Sequence, residues 1–264
     1  MKKTILVFII TICLIFKLSA LPVEAKIKSC PLNPSKIDLE EICKIEIGKL
    51  HPTQAKVGMY QVKYNQALLE VISQQESDKF DSIENYLQKK QVPVVIGPGN
   101  IYYMVDRHHT MRSIWDYYQG NPQIKVYIKV IKNWSKKKNF WQEMKENNYT
   151  YLGASGTEIN PNQLPTNIGD LTNDNYRAAV GLAVKWAFFD SPKGEAKYFY
   201  QFKWGNCLKD LGFKLPEKLD RDKIYATAAF LYNNDNQAKM AKICNLQITK
   251  GREFKDIVRT LENN

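Results

Sequence analysis

The stretch from Val92 to Tyr118 constrains the fold of this chain more than any other. Val92 to Ile96 is a β-branched apolar run, with Pro93 near its start, where a strand best tolerates a missing N–H. Gly97-Pro98-Gly99-Asn100 is a strong turn signal, and Ile101 to Val105 resumes the extended pattern, so the two runs read as a hairpin. Met111, Ile114, Trp115 and Tyr118 then recur at helical offsets, which predicts a helix over 110–118. A strand must therefore give way to a helix at Asp106-Arg107-His108-His109, and two of the chain's 3 histidines stand at that junction.

The flanking patterns extend this picture. Cys43 to Leu50 alternates, with Cys43, Ile45 and Ile47 on one face, and His51-Pro52-Thr53-Gln54 breaks it. Ala55 to Ser73 reads as a helix around Val57, Val62, Leu68 and Leu69. Ser77 or Asp78 would cap a second helix reaching Lys90, with Phe80, Ile83, Tyr86 and Leu87 on one face. From Gln123 to Val130, Ile124, Val126, Ile128 and Val130 face inward, while Lys125, Tyr127 and Lys129 face out. The segment 132–145 is rich in Lys and Trp; it reads as a solvated helix face or as a nucleic-acid groove. Residues 151–171 form a long loop, and helices are expected over 173–189, 199–211, 221–246 and 252–261. Strands come early and helices late, so the expected class is α+β: a small mixed sheet followed by a mostly helical C-terminal half. The 44% hydrophobic content is enough for a packed core and argues against a disordered chain.

The first 25 residues read as a secretory signal peptide. Lys2 and Lys3 form a positive start, Thr4 to Phe16 is largely apolar, and Val23-Glu24-Ala25 ends in a small residue. Lys17 interrupts the apolar run, which is too short to span a bilayer comfortably. Cleavage and export to the periplasm or the medium are expected, with no stable membrane span left. Export puts Cys30, Cys43, Cys207 and Cys244 in an oxidising compartment. Cys30 with Cys43 and Cys207 with Cys244 is the most local pairing, and three connectivities remain open. The net charge of +11 suits polyanionic partners, nucleic acid or nucleotide among them.

Chemistry concentrates at the strand-to-helix junction. A helix start offers free N–H groups and the positive end of its dipole, which together hold anions. Arg112 lies one turn on from the histidines, and Asp106 can fix the tautomer of a histidine beside it. The set reads as a phosphate or phosphodiester site; equally, one histidine could cap the helix while the other packs. No metal site is assigned. Adjacent histidines diverge on a helix or strand, and His51 would be needed as a third ligand. Gly97-Pro98-Gly99 lacks the Lys-Ser/Thr ending of a phosphate-binding loop.

His51-Pro52-Thr53-Gln54, the Val-Val-Ile-Gly-Pro-Gly-Asn-Ile-Tyr-Tyr hairpin and Asp106-Arg107-His108-His109 resemble the ParB-like nuclease family of the ParB and sulfiredoxin superfamily. The resemblance continues through Leu164-Pro165, Asn173 to Arg177 and Phe202-Lys203-Trp204. It covers roughly 44–212, with 26–43 as a lead-in and 213–264 as a helical extension. It implies an α+β core whose junction binds phosphate groups. Asp106, His108 and His109 would be the site, Gln54 would border it, and Arg177 would reach in from the helical half. Superfamily members often have Gly between the Asp and the His pair, where this chain has Arg107, and often Arg after the pair, where it has Thr110. With no cysteine beside the pair, sulfiredoxin-type thiol chemistry is not supported. The implied activity is phosphodiester hydrolysis, with His108 as general base oriented by Asp106, and His109 and Arg112 holding the phosphate. A divalent ion is left open as cofactor. The alternative is a non-catalytic module that binds a nucleotide or polyanion.

Overall fold

The computed structural model describes residues 27–74, 82–153, 157–186 and 189–247. The expected signal peptide, the expected caps at Ser77 or Asp78, Phe80 and the helix expected over 252–261 lie outside them. Among the described residues, seven strands and eight α-helices follow in order: β1 (Ile42–Glu46), β2 (Leu50–Pro52), β3 (Lys56–Val57), α1 (Met59–Gln74), α2 (Ile83–Lys89), β4 (Val92–Ile96), β5 (Tyr102–Met104), α3 (His108–Tyr117), β6 (Lys125–Asn133), α4 (Phe140–Glu146), β7 (Thr172–Asn173), α5 (Asn175–Lys185), α6 (Tyr200–Asp210), α7 (Arg221–Tyr232) and α8 (Asn234–Cys244). The main sheet has the order β1-β6-β4-β5-β2. It is mixed: β1 and β6 are antiparallel, β6 and β4 parallel, β4 and β5 antiparallel, and β5 and β2 parallel. The α+β class is borne out, with a helical C-terminal half from α5 onward.

The central strand explains its own sequence. Val92, Val94 and Ile96 face a core shared with Leu69, Met111, Ile114 and Ile128. Val95 faces the other way, onto Phe140, Met144, Phe199 and Phe202. A strand buried on both faces needs an unbroken apolar run instead of alternation. Its hairpin partner β5 then delivers the chain straight into α3, as the turn signal predicts.

Several boundaries differ from expectation, each for a local reason. The run 43–50 is two strands, because a tight 3-10 turn at Ile47–Lys49 redirects the chain from β1 to β2. Helix α1 starts at Met59, because Lys56 and Val57 pair with Thr172 and Asn173 in a small parallel ladder. Gly58 follows that ladder at a close approach: a Cβ there would sit 2.5 Å from the Ala178 Cα on α5. Tyr127 is buried, not outward-facing, since its hydroxyl meets Glu84 of α2 and the Lys44 ammonium covers its ring at 4.9 Å. Helix α5 stops at Lys185, short of Phe189. The run 221–246 is two helices, because Asn233 is extended and its side chain caps α8 through the Asn236 N–H at 3.1 Å. In the Lys-rich segment Phe140 and Met144 turn inward and Lys136, Lys137 and Lys138 outward, as a solvated face requires. Among the described residues no helix is long and apolar enough to cross a membrane.

Both local cysteine pairs are disulfides. Cys30–Cys43 ties the lead-in to β1 across a separation of 13 residues, and Cys207–Cys244 ties α6 to α8 across 37. Loop-closure entropy makes the longer link worth about 4 kcal/mol and the shorter about 3 kcal/mol. Serine at both Cys207 and Cys244 is therefore expected to lower the denaturant midpoint more than serine at both Cys30 and Cys43. Equal losses would contradict this ordering, and non-reducing peptide maps check the pairing itself.

Candidate functional site

Asp106 and Arg107 make the turn between β5 and α3. Arg107 holds a left-handed backbone at φ 70°, and its N–H donates to the Asp106 Oδ1 at 2.7 Å. This turn sends both following imidazoles inward, leaving His108 2% and His109 8% exposed. Each ring accepts one backbone hydrogen bond. The Thr53 N–H donates to the His108 Nε2 at 3.2 Å, and the Gly58 N–H donates to the His109 Nε2 at 2.9 Å. Thr53 is itself clamped: its hydroxyl donates to the Met104 carbonyl at 2.7 Å, and its carbonyl accepts from the Thr150 hydroxyl at 2.8 Å. The Pro-Thr-Gln segment and the histidine pair thus form one bracket between β2, β5 and α3.

The bracket sets the protonation of both rings. A nitrogen that accepts from N–H carries no proton, so each imidazole is neutral, with its hydrogen on Nδ1. Burial holds both well below the ordinary histidine value, and the Arg177 cation adds to the effect. His109 lines a cavity and His108 does not. The expectation that His108 meets water as a base therefore finds no geometric support: its Nε2 is engaged and its ring packs near Phe199 at 6.2 Å.

The cavity measures about 370 Å³ and lies between the junction, α1, α2, α5 and the start of α6. Lys90, Arg107, Arg177, Lys185 and Lys197 line it, against a single carboxylate, Asp106. Arg177 is 5% exposed; it donates to the Lys56 carbonyl at 2.7 Å and the Gln201 Oε1 at 3.2 Å, and stacks 4.1 Å over the Phe202 ring. Burial pulls its guanidinium down to about 9, which still leaves it charged at neutral pH. Lys185 donates to the Asn65 Oδ1 at 2.6 Å, and burial of its ammonium beside Lys90 pulls it down to about 8. A larger groove, about 790 Å³, runs along β1 and the lead-in. Two of its lysines are already matched there, since Lys49 and Lys125 both pair with Glu46, at 3.3 Å and 2.8 Å. The smaller cavity carries the larger excess of positive charge, five cations against one carboxylate.

The other expected site residues separate. Arg177 enters the cavity from α5. Arg112 does not: it pairs with Asp116 at 2.8 Å and donates to the Leu171 carbonyl at 2.6 Å, holding the loop before β7. Gln54 is fully buried behind the bracket and donates to the Lys56 carbonyl at 2.6 Å, the same carbonyl that Arg177 grips. Lys90, Arg107, Lys185 and Lys197 were not expected. Part of their signal is present in α5, where Arg177, Gly181 and Lys185 recur every four residues on one face. His51 packs edge-on to Tyr103 in a different groove. Among the described residues no group of three His, Cys, Asp or Glu converges. With both Nε2 atoms engaged and one carboxylate among cations, these residues do not fit a resident divalent ion.

The buried imidazoles link stability to pH. Their folded values lie below the unfolded one, so their contribution is complete above the ordinary value of about 6.5 and is lost progressively as pH falls from there through the lower folded values. The thermal midpoint of the parent is expected to drop more steeply below that point than the midpoint of a His108→Gln/His109→Gln double variant. Parallel slopes would show that the rings do not carry the dependence.

Comparison with known proteins identifies a family for this chain. Residues 43–210 match the family model described as "Putative ParB-like nuclease". Among solved structures the chain is similar to protein Atu1540 from Agrobacterium tumefaciens, at 24% identity over 76% of this chain and 90% of that one, with a TM-score of 0.49. No curated protein matches it. Because the family match runs from β1 to the end of α6, well over half of the chain, the chain belongs to the ParB-like nuclease family.

Proposed function

We propose that this protein is an exported phosphodiester hydrolase of nucleic acid, and that the cationic cavity beside the junction holds the phosphate under attack. The carrying observation is the imbalance of charge in the cavity: five cationic side chains against Asp106 alone. A phosphate neutralises cations that otherwise repel one another, and a partly enclosed site strengthens that attraction. The leader and the two disulfides support export.

In this reading Asp106 takes the proton of the attacking water. The water oxygen bonds to phosphorus, and the strand's P–O bond breaks towards the leaving oxygen, which takes its proton from solvent water. Arg177 and Lys185 hold the charge that gathers on the phosphate oxygens. His109, at the cavity wall, keeps α3 in register through Gly58. His108 does the same through Thr53, so both are positioning residues. Single- and double-stranded DNA and RNA, with and without divalent ions, are the substrates to test. Asp106→Asn is expected to lower the rate about 10²- to 10⁴-fold. Removing the fixed cation with Arg177→Met is expected to cost about 10²- to 10³-fold. Full activity of Asp106→Asn would remove Asp106 from the chemistry.

A second reading, a non-catalytic module for a nucleotide or polyanion, is favoured by the same histidines, whose acceptor nitrogens are both occupied. It requires saturable binding with the ligand recovered intact, which calorimetry followed by product analysis measures. In either reading, affinity for a phosphate-bearing ligand is expected to weaken as pH rises through about 8, where Lys185 loses its charge. A Lys185→Arg variant should not show that loss.

A further inference from the structure

Arg107 combines two unfavourable features at one position. Its backbone is left-handed, at φ 70° and ψ 15°, a conformation that glycine adopts freely and a side chain resists. Its Nε is buried and has no hydrogen-bond partner. A buried N–H without an acceptor is unstable compared with one that has found one. The residue stands immediately before α3, and its side chain lines the cavity.

Nothing in the packing accounts for a guanidinium there. The Asp106 carboxylate takes the backbone N–H of Arg107, a bond that any residue at this position would make. Apart from the Asp106 carboxylate, the charged groups around the cavity are cations: Arg107 opposes protonation of Lys90 at the end of α2, and Arg177 and Lys185 line the same cavity from α5. Tyr86 of α2 also feels its charge. A guanidinium placed among cations, with a donor facing no acceptor, is suited to a ligand that brings anionic oxygens.

We propose that Arg107 is a phosphate-reading residue of this cavity: its guanidinium, enclosed at Nε in the free protein, turns towards bound phosphate, which supplies the acceptor that Nε lacks, and the strained turn is kept for that contact. The inference rests on the cavity being the phosphate site and adds the residue that recognises the phosphate. Planar guanidinium groups match phosphate oxygens in a way an ammonium does not, so lysine is a poor replacement.

The test compares the parent with Arg107→Gly, Arg107→Asn and Arg107→Lys. Thermal midpoints are measured without ligand, and calorimetric affinities with inorganic phosphate and with a 5′-phosphorylated dithymidine over a range of salt. Glycine and asparagine both tolerate the left-handed backbone, so Arg107→Gly and Arg107→Asn are expected to melt no lower than the parent. Both should bind each probe at least about tenfold more weakly, with a salt slope reduced by about one phosphate contact. Arg107→Lys should recover charge but less than half of the lost affinity on a logarithmic scale. Arg107→Gly and Arg107→Asn binding as tightly as the parent would overturn the role of Arg107 while leaving the cavity as the phosphate site. A lower midpoint with unchanged affinity would make Arg107 a structural residue and overturn it likewise. A parent that binds neither probe would overturn the cavity reading and this inference with it.

Discussion

Two hydrogen bonds from backbone amides to buried imidazoles hold this molecule's working corner together. The Thr53 and Gly58 N–H groups belong to the irregular segment between β2 and α1, where no regular ladder satisfies them. Left unpaired in the core, each would cost on the order of 1–3 kcal/mol. His108 and His109, one after the other at the start of α3, supply both acceptors. A lysine or arginine has no acceptor, and a carboxylate would bring a charge into the core. A neutral imidazole accepts there while remaining uncharged, and its ring fills apolar space beside the bond. The pair therefore welds the β2-to-α1 crossing to α3, and everything that lines the cavity is placed relative to that weld.

The weld also explains why the cavity can be so cationic. Like charges brought together oppose folding unless each is held by its own neighbours. Arg177 is gripped by a carbonyl, an amide oxygen and an aromatic face, and Lys185 by the Asn65 amide oxygen and the Tyr64 ring. These partners are neutral, so they hold the cations without cancelling them. Gly181, midway between Arg177 and Lys185 on α5, keeps room for the polar ends of Gln61 and Gln201, since a Cβ there would sit 2.5 Å from the Gln61 Oε1. Charge is thus preserved in the cavity, at a cost in stability that the buried apolar cores on either side must offset.

What was legible in the sequence follows from how local each cause is. The hairpin of β4 and β5, the start of α3 and the two disulfides depend on neighbours in the chain or on short spacings, and they read correctly. Tyr127 misread because alternation marks a face but not what covers it, and α2 covers that face. The break at Asn233 opens a polar run, Asn233-Asn234-Asp235-Asn236, but Ala238 and Met240 beyond it resume the helical pattern of Ala228 and Leu231, and the run reads as one helix. The Pro-Thr-Gln segment and the histidine pair were recognisable as associated motifs, yet their shared role, amide to imidazole, is a contact across more than fifty residues. The cavity's lysines were invisible for the same reason. Lys90 ends α2, Lys185 ends α5 and Lys197 precedes α6, and only tertiary packing brings them to one place.

The helical segment beyond the family match bears on the site through α6. That helix supplies Tyr200 and Gln201 to the cavity and Phe202 to the underside of Arg177, all in its first turn. Its opening residue, Phe199, holds a left-handed backbone without a capping side chain, so this end gains little from its own hydrogen bonds. Helix α6 is held further along instead: Trp204, Cys207 and Leu208 pack with Ala228 and Leu231 of α7 and Met240 of α8, and Cys207 is joined to Cys244. Fixing the far end of a three-turn helix fixes the near end, because a helix transmits position as a rigid body over so short a length. Residues 213–247 therefore act on the cationic cavity without lining it, by keeping the first turn of α6 under Arg177. Oxidising conditions, in which the Cys207–Cys244 link persists, are also the conditions in which that turn is best held.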